Sequence, residues 1–429
     1  MLRAFVNAFK VPDLRNKILF TLLIIAIYRF GSHVPVPIVD IGKLQTALEK
    51  QGNTGFLSFI DLFSGGALTR MAVFGLGIMP YITSSIIMQL LVVVIPKLEQ
   101  WQKQGEQGQK KINQWTRYVT VVLALLQSTG LVFLFHSGAA QLNGVDIFPP
   151  GSFTGPHIAL IVMILTAGTA LIMWMGELIT QRGIGNGMSV LIFTSVISRL
   201  PQEGRAILLQ GGSAKFITVL LIGFALIVAV VFIEQGQRRI PVQYAKRVVG
   251  RRMTTGGSTY IPLKVNQAGV IPIIFASSIL YFPTLIGSIY HAEWFTTFLD
   301  KYITNTRSLV YMAIYATLVV FFAYFYTAIA FNPVDTADSL RKNGGFIPGI
   351  RPGAPTANYL NDVLVRITLP GSIFLAAIAL LPSIVLAFWV IQQFPFGGTS
   401  LLITVGVALE TMKQLESQLL MRHYEGFLR

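Results

Sequence analysis

The sequence predicts an all-α integral membrane protein with about ten transmembrane helices. The chain has 429 residues, of which 53% are hydrophobic and only 12% are charged. Soluble domains carry about 25% charged residues, and the mean hydropathy of this chain is +0.64. Such a composition cannot cover a soluble globule with polar surface, so the excess apolar surface is predicted to face lipid.

Ten apolar segments come close to the roughly 20 residues that a helix needs to cross the hydrocarbon core. The first is not predicted to be a cleaved signal peptide, because no small-residue cleavage site follows it. Five spans in each half give the halves opposite orientations, as in the inverted repeats of transport proteins. We therefore divide the chain into an N-terminal half, 1–200, and a C-terminal half, 201–429. The predicted spans lie at about 18–37, 73–95, 117–136, 157–178, 187–200, 215–234, 268–290, 308–330, 367–391 and 397–415.

The positions of the basic residues predict the orientation. With a cytoplasmic N-terminus, the inside loops hold roughly three times as many lysines and arginines as the outside loops, as expected for cytoplasmic loops. Both termini are then cytoplasmic, and the net charge of +15 needs no nucleic acid partner. Basic residues at two places do not fit this charge rule. The outside loop between spans five and six carries Arg199, Arg205 and Lys215, and Arg29 lies within span one. We interpret Arg29 as a side chain that snorkels to the outer interface.

Several kinds of chemistry have no support in the sequence. The chain has no cysteine, and its five histidines lack zinc-ligand spacing, so no metal or other cofactor is expected. The glycine-rich run at 183–187 follows a membrane helix instead of a strand, which argues against a nucleotide site. No paired carboxylates lie inside a span, and ion-coupled transporters usually place an ionisable group near the midplane. A solute transporter and a membrane enzyme therefore have little support, although neither is excluded by composition.

Two inside loops, at about 235–267 and 332–366, are too long for simple helical hairpins. Glycines and prolines punctuate both loops, and each combines basic residues with an aromatic one, Tyr244 in the first and Phe346 in the second. Each loop is either a docking site for a partner or a solvated connector.

The segment from Phe56 to Met71 is apolar and near-helical, but Gly65 and Gly66 interrupt it and it is too short to span the membrane. A broken element at membrane depth is tolerated only where protein buries it or where it lines a cavity. The segment is either a re-entrant element in a pore or an interfacial helix on the outer surface.

Two spans carry pairs of apolar residues on one helix face. Ile78 and Ile82 in span two are four residues apart, as are Met188 and Ile192 in span five. Such pairs are ordinarily lipid or packing contacts. If the two faces converged, they would form an apolar constriction that can gate ions by dewetting.

Six groups of residues occur in order along nearly the whole chain and together resemble the SecY family, the protein-conducting channel subunits of the bacterial Sec translocon. They are Gly77-Ile-Met-Pro-Tyr-Ile82, Arg182-Gly-Ile-Gly-Asn-Gly-Met-Ser189, Tyr244-Ala-Lys-Arg247 with Gly250-Arg-Arg252, Pro262-Leu-Lys-Val-Asn-Gln-Ala-Gly-Val-Ile-Pro272, Phe346-Ile-Pro-Gly-Ile-Arg-Pro-Gly353 and Gly397-Gly-Thr-Ser-Leu-Leu-Ile403. The resemblance implies two five-helix halves around an hourglass pore. Unfolded secretory polypeptides would pass through it, and hydrophobic segments would leave sideways into lipid.

The resemblance also implies roles for individual residues. Met188 departs from the isoleucine usual at its position, but methionine is flexible and apolar, so the seal should survive. The implied pore ring is Ile78, Ile82, Met188, Ile192, Ile274 and Ile403. The implied plug is the segment at about 57–71, with Phe59, Ile60, Asp61, Leu62, Phe63, Ser64, Gly65, Gly66 and Arg70. The implied lateral gate, between spans two and seven, includes Thr83, Gln127, Asn266, Ser278 and Phe282.

The resemblance also implies several kinds of partner. The long loops would dock the ribosome or a SecA-type ATPase motor through Arg251, Arg252 and Arg351, because arginine binds carboxylates and phosphates with paired hydrogen bonds. Small membrane subunits similar to SecE and SecG, a translocating polypeptide and membrane lipid are the other implied partners. The implied location is the bacterial plasma membrane.

Overall fold

The computed structural model describes residues 9, 11–44, 61–136, 148–149, 151, 153–244, 247–249, 252–254, 258–289, 293–299, 302, 308–388 and 398–427. Its helices are α1 (Pro12–Gly31), α2 (Met79–Val94), α3 (Pro96–Lys103), α4 (Glu106–His136), α5 (Gly155–Arg182), α6 (Gly187–Gln235), α7 (Ile271–Ile289), α8 (Glu293–Leu299), α9 (Leu309–Ala330), α10 (Pro333–Lys342), α11 (Ala354–Phe388) and α12 (Gly398–Phe427). Its strands are β1 (Gln237–Tyr244), β2 (Arg247–Val249), β3 (Arg252–Thr254), β4 (Ser258–Lys264) and β5 (Gly345–Phe346). A short 3₁₀ helix covers Leu68–Arg70.

Each predicted span overlaps one of these helices. Within the described residues, five helices are long and apolar enough to cross a membrane by themselves. A sixth span is counted if α2 and α3 are taken together, although they are bent by 100°. The bend follows from Pro96, which disfavours helical backbone in Ile95 before it, and Ile95 is extended (φ −100°, ψ 111°). The full count of ten stays a prediction.

Two predicted boundaries at the outer ends of spans are wrong. Span one was expected to reach residue 37, but α1 ends at Gly31. Span two was expected to begin at 73, but residues 73–78 form turns and α2 begins at Met79. Gly77 has a left-handed φ of 57°, which ends the turns, and Pro80 suits the first turn of a helix because it needs no hydrogen-bond acceptor there. Hydropathy cannot distinguish such buried turns from helix.

The chain also stays helical where a loop was expected between spans five and six. Helix α6 runs from Gly187 to Gln235 and is broken only at Gly212 (φ 74°, ψ 172°). Glycine adopts this conformation because it has no Cβ. The predicted boundary between the halves, at 200/201, therefore lies inside a helix, and the structural break comes at Gly212.

The two long inside loops fold together into one small sheet, which the sequence did not predict. Strand β1 lies between β4 and β5, antiparallel to both, so that Gln243 pairs with Ser258 on one side and Phe346 on the other. Val242 and Leu263 are fully buried against Leu360 of α11. Helix α10 and the first turns of α11 occupy much of the second loop. The loops thus form a compact unit at the predicted cytoplasmic side.

One buried apolar cluster joins the two halves of the chain. In the first half α2 packs on α4, α4 on α5 and α5 on α6, and in the second half α7 packs on α9, α9 on α11 and α11 on α12. The cluster takes residues from α1, α2, α5, α6, α7, α9, α11 and α12. Helix α12 also packs on α6, and α7 contacts α4, so the halves face one another around the cluster.

Candidate functional site

The six residues of the implied pore ring come together in this central cluster. Ile78 and Ile82 lie at the start of α2, Met188 and Ile192 at the start of α6, Ile274 on α7 and Ile403 on α12. None of the six is more than 9% exposed. Four separate helices therefore bring uncharged, mostly branched side chains to one place, which is the arrangement that an apolar seal requires.

A cavity of about 600 Å³ lies on one side of this ring. All ring residues except Ile78 line it, and both halves of the chain contribute to its wall. Near the ring the lining is apolar. Towards the sheet it becomes polar and charged, with Glu234, Lys264, Glu410 and Lys413. We call this cavity the funnel; its lining is charged towards the small sheet and apolar at the ring.

The start of α6 places Met188 and Ile192 in the ring. The Asn186 side chain caps the helix by accepting hydrogen bonds from the backbone N–H groups of Met188 (3.1 Å) and Ser189 (3.4 Å). A Cβ on Gly187 would lie 1.8 Å from the carbonyl oxygen of Gly176 on α5, so the two helices meet at a pair of glycines. Sequence reasoning missed Gly176, although a small residue inside a span is a known signal of close helix packing.

The described part of the implied plug packs against the chain just before Ile78, the ring residue that does not line the cavity. Residues 61–64 are helical, and the chain then turns at Gly65 (φ 65°) and Gly66 (φ 84°). Phe63 is fully buried. A Cβ on Gly77 would lie 2.7 Å from the Phe63 carbonyl oxygen, so the segment lies directly against the residue before Ile78. Residues 57–60, including Phe59 and Ile60, lie outside the described residues.

Arg29 contacts the plug and does not snorkel, so that interpretation is wrong. Its Nη1 donates hydrogen bonds to the Gly65 carbonyl oxygen (3.0 Å) and to Ser198 Oγ (2.9 Å). Asp61 forms an ion pair with Arg199, with 3.1 Å between Oδ2 and Nη1. The sequence showed Arg29 and Arg199 only as exceptions to the charge rule. Arg70 and Leu62 are half-buried, and Leu62 packs on the central cluster.

The implied gate residues lie on α2, α4 and α7 and just before α7. Thr83 is buried and donates to the Met79 carbonyl oxygen of its own helix (3.0 Å), and Gln127 is half-buried on α4. Ser278 has a buried hydroxyl with no hydrogen-bond partner among the described residues. Asn266 Nδ2 donates to Glu234 Oε1 (2.5 Å) and to the Gly269 carbonyl oxygen (3.1 Å). Phe282 belongs to α7, but its side chain lies outside the described residues.

The structure describes only some of the implied docking arginines. Arg351 is exposed beside the small sheet, and its carbonyl oxygen accepts a hydrogen bond from Thr356 Oγ1 (2.8 Å). The backbone of Arg252 belongs to β3, while its side chain and the whole of Arg251 lie outside the described residues. Their role in docking stays a prediction.

Comparison with known proteins extends the similarity to most of the chain. A family model described as SecY matches residues 72–412. The protein translocase subunit SecY of Streptomyces coelicolor is 55% identical over 441 aligned residues, which cover 100% of both chains. The protein of the same name from Mycobacterium tuberculosis is 52% identical over 444 aligned residues, again covering 100% of both.

A solved structure shares the fold at lower sequence identity. This structure, described as "the structure of a protein conducting channel", matches with a TM-score of 0.65 and 17% identity, covering 94% of this chain and 92% of that one. At that identity the match concerns the fold alone.

Proposed function

Because the chain belongs to the SecY family, we propose that this multi-pass membrane protein is a channel for unfolded secretory polypeptides and not an enzyme. The observation that carries the proposal is the meeting of four helices in an uncharged collar beside the funnel. The collar is the proposed pore ring. The two halves that surround it are proposed to be the two five-helix units.

An apolar ring suits a substrate without a fixed sequence. An unfolded polypeptide presents every kind of side chain in turn, so specific polar recognition would hold some of them and delay transport. Branched and flexible apolar side chains can move apart around any residue and close again by contact. Met188 is the most flexible member, with three rotatable side-chain bonds. At rest, the ring and the plug beneath it together close the path to ions.

The contact between the halves supports a lateral exit. Helices α2 and α7 both contribute to the funnel wall, and α7 also contacts α4. Separation of these helices would expose a polypeptide in the ring to lipid. A hydrophobic segment would then leave by its own transfer free energy, about 0.3 to 0.6 kcal/mol per leucine, while one central charge opposes exit by about 2.5 to 3.5 kcal/mol.

The driving force must come from partners. A solved relative of the same fold, 17% identical, is described as Sec61 in the canine ribosome–channel complex, with a TM-score of 0.62 over 94% of this chain and 92% of that one. By analogy we propose that the small sheet, with Arg251, Arg252 and Arg351, docks the ribosome or a SecA-type motor. We further propose SecE-like and SecG-like subunits, the bacterial plasma membrane and cytoplasmic termini.

Site-specific photocrosslinking during translocation tests the channel. A photoreactive residue at Ile78, Ile274 or Ile403 should form adducts with a stalled secretory chain at all three positions. Leu126 on α4, 65% exposed on the outer face of the helix bundle, is the matched control and should form few. Adducts at Leu126 but none at the ring would contradict the pore. Co-purification of small single-span subunits would separately support the proposed complex.

A further inference from the structure

Two arginines that fit the charge rule poorly meet at one place in the fold. Arg29 lies near the outer end of α1, and Arg199 lies on α6 before its break at Gly212. Resting on the proposed channel function, we propose that Arg199 and Arg29 are positioning residues that hold the plug on the first half of the channel, so that plug release is a separate step from separation of the halves. We call these two arginines with Asp61 the plug latch.

The ion pair is the central contact of the plug latch. Arg199 and Asp61 have side chains only 9% and 4% exposed, and their atoms are 3.1 Å apart. Asp61 Oδ1 also accepts a hydrogen bond from the backbone N–H of Thr69 (3.2 Å), which ties the pair to the turn of the plug. Loss of Arg199 would leave the Asp61 carboxylate buried without its ionic partner, which is more destabilising than loss of both charges.

Arg29 and Tyr28 hold the neighbouring turn. The Arg29 guanidinium bridges the Gly65 carbonyl oxygen and Ser198 Oγ, and the Tyr28 hydroxyl lies 2.6 Å from Ser195 Oγ. A Cβ on Gly65 would lie 3.0 Å from the Ser195 Cα. The plug backbone is therefore in contact with α6 itself, and a side chain at position 65 would push it away.

The Asp61–Arg199 ion pair and the hydrogen bonds of Arg29 join the plug to the first half of the chain. The partners just named belong to α1 or to α6 before Gly212, within the first half of the chain. Movement of α7, α9 and α12 away from that half breaks none of these bonds. The plug would stay on the first half until the Asp61–Arg199 pair itself separates. Arg199 lies on the predicted outer side of the membrane, against the charge rule, and its pairing with Asp61 gives a physical reason for a basic residue there.

A single-cysteine labelling experiment tests the plug latch, because the chain has no cysteine of its own. Ala67→Cys introduces one at a fully buried plug position. The probe is a membrane-impermeant maleimide added from outside to the channel complex in proteoliposomes, without any translocating chain. Adding Arg199→Gln should raise the labelling rate by about tenfold or more, because the unpaired Asp61 carboxylate shifts the population towards the released plug.

Two further variants distinguish the plug latch from a general effect of charge. Arg205→Gln removes the same charge from an exposed position on the same helix and should leave labelling unchanged. The double variant Asp61→Asn with Arg199→Gln should label more slowly than Arg199→Gln alone, since no unpaired charge remains. Unchanged labelling with Arg199→Gln, an equal rise with Arg205→Gln, or labelling of the double variant as fast as that of Arg199→Gln alone would each overturn the proposal.

A cysteine elsewhere tests for general unfolding. Ala323→Cys lies on α9, where the native side chain is 2% exposed, and should stay unlabelled when Arg199→Gln is added. Labelling of both positions would contradict a local role for Arg199.

Ser198→Ala tests the role of Arg29, because it removes one acceptor of the Arg29 hydrogen bonds. This milder change should raise labelling of the plug cysteine about threefold, and no rise would count against Arg29. The labelling experiment translocates no polypeptide, so its outcome is independent of the crosslinking experiment. The plug latch can therefore be refuted while the proposed channel is supported, or supported while the proposed channel is refuted.

Discussion

The thioether sulfur of Met188 lies so close to Gly176 that a Cβ on this glycine would come within 2.1 Å of it. Met188, the ring residue that departs from isoleucine, thus packs its flexible side chain against a position of α5 that has no side chain. This contact relates the packing of two helices to the width of the proposed ring, and it leads to the first prediction.

Gly176→Ala should narrow the ring without unfolding the protein. The new methyl group meets the far end of a flexible side chain, so Met188 can turn into the funnel, at a cost of about 1 kcal/mol in the free energy of unfolding. We expect slower translocation in a reconstituted assay, with nearly unchanged thermal unfolding.

Two other glycines are controls for this effect. Gly187→Ala would place its Cβ 1.8 Å from a backbone oxygen, which cannot turn away, and should destabilise the protein by about 3 kcal/mol. Gly155→Ala meets nothing within 4 Å and should change neither property. Equal unfolding temperatures for the variants at 176 and 187 would contradict the rotamer argument.

Gly77→Ala should unseat the plug. Its Cβ would lie 2.7 Å and 2.8 Å from backbone atoms of Phe63 and Ser64, and the left-handed backbone adds strain of about 1 to 2 kcal/mol. We expect faster leakage of a small anion from proteoliposomes. Gly269→Ala has a similar φ of 61° but meets nothing within 4 Å, so it carries the strain without the clash and should not leak. Equal leakage for both would refute the prediction.

Ser278→Ala should stabilise the closed protein. The part of the chain that the structure describes offers its buried hydroxyl no hydrogen-bond partner, and removal of such a group recovers up to about 1 to 3 kcal/mol of desolvation free energy. Its neighbour Ser277 is the control, because its hydroxyl lies 3.0 Å from that of Tyr315. Ser277→Ala should lower stability by about 1 kcal/mol. Thermal unfolding of both variants measures the difference, and a lower stability for Ser278→Ala would show that its hydroxyl is needed.

Ile274→Asp should break the seal of the ring. A carboxylate there would hydrate an apolar constriction that is closed to ions only while it stays dry. We expect ion leakage through the variant to rise above that of the parent protein. Ile274→Leu keeps the volume and the polarity of the side chain. It should lower the free energy of unfolding by less than about 1.5 kcal/mol, and its channel should stay closed to ions. A tight channel with Ile274→Asp would remove this residue from the seal.

The sequence alone determined the class of the protein, because hydropathy is a local property that a stretch of about 20 residues carries by itself. It did not determine where the helices at Gly31, Met79 and Gly212 begin and end, since turns buried by neighbouring helices are as apolar as spans. The ring residues were reached by resemblance, because lipid-facing and pore-facing isoleucines look alike in sequence.

Only the tertiary structure decided the partners of the polar residues. Arg29 and Ser198 are 169 positions apart, and no local pattern relates them. The same holds for the sheet, in which β1 of the first loop pairs with β5 of the second. A buried charge is stable only beside a specific partner, and that partner is chosen by the packing of helices distant in sequence. Composition therefore placed this chain in the membrane, and three-dimensional packing decided which side chains pair with its buried charges.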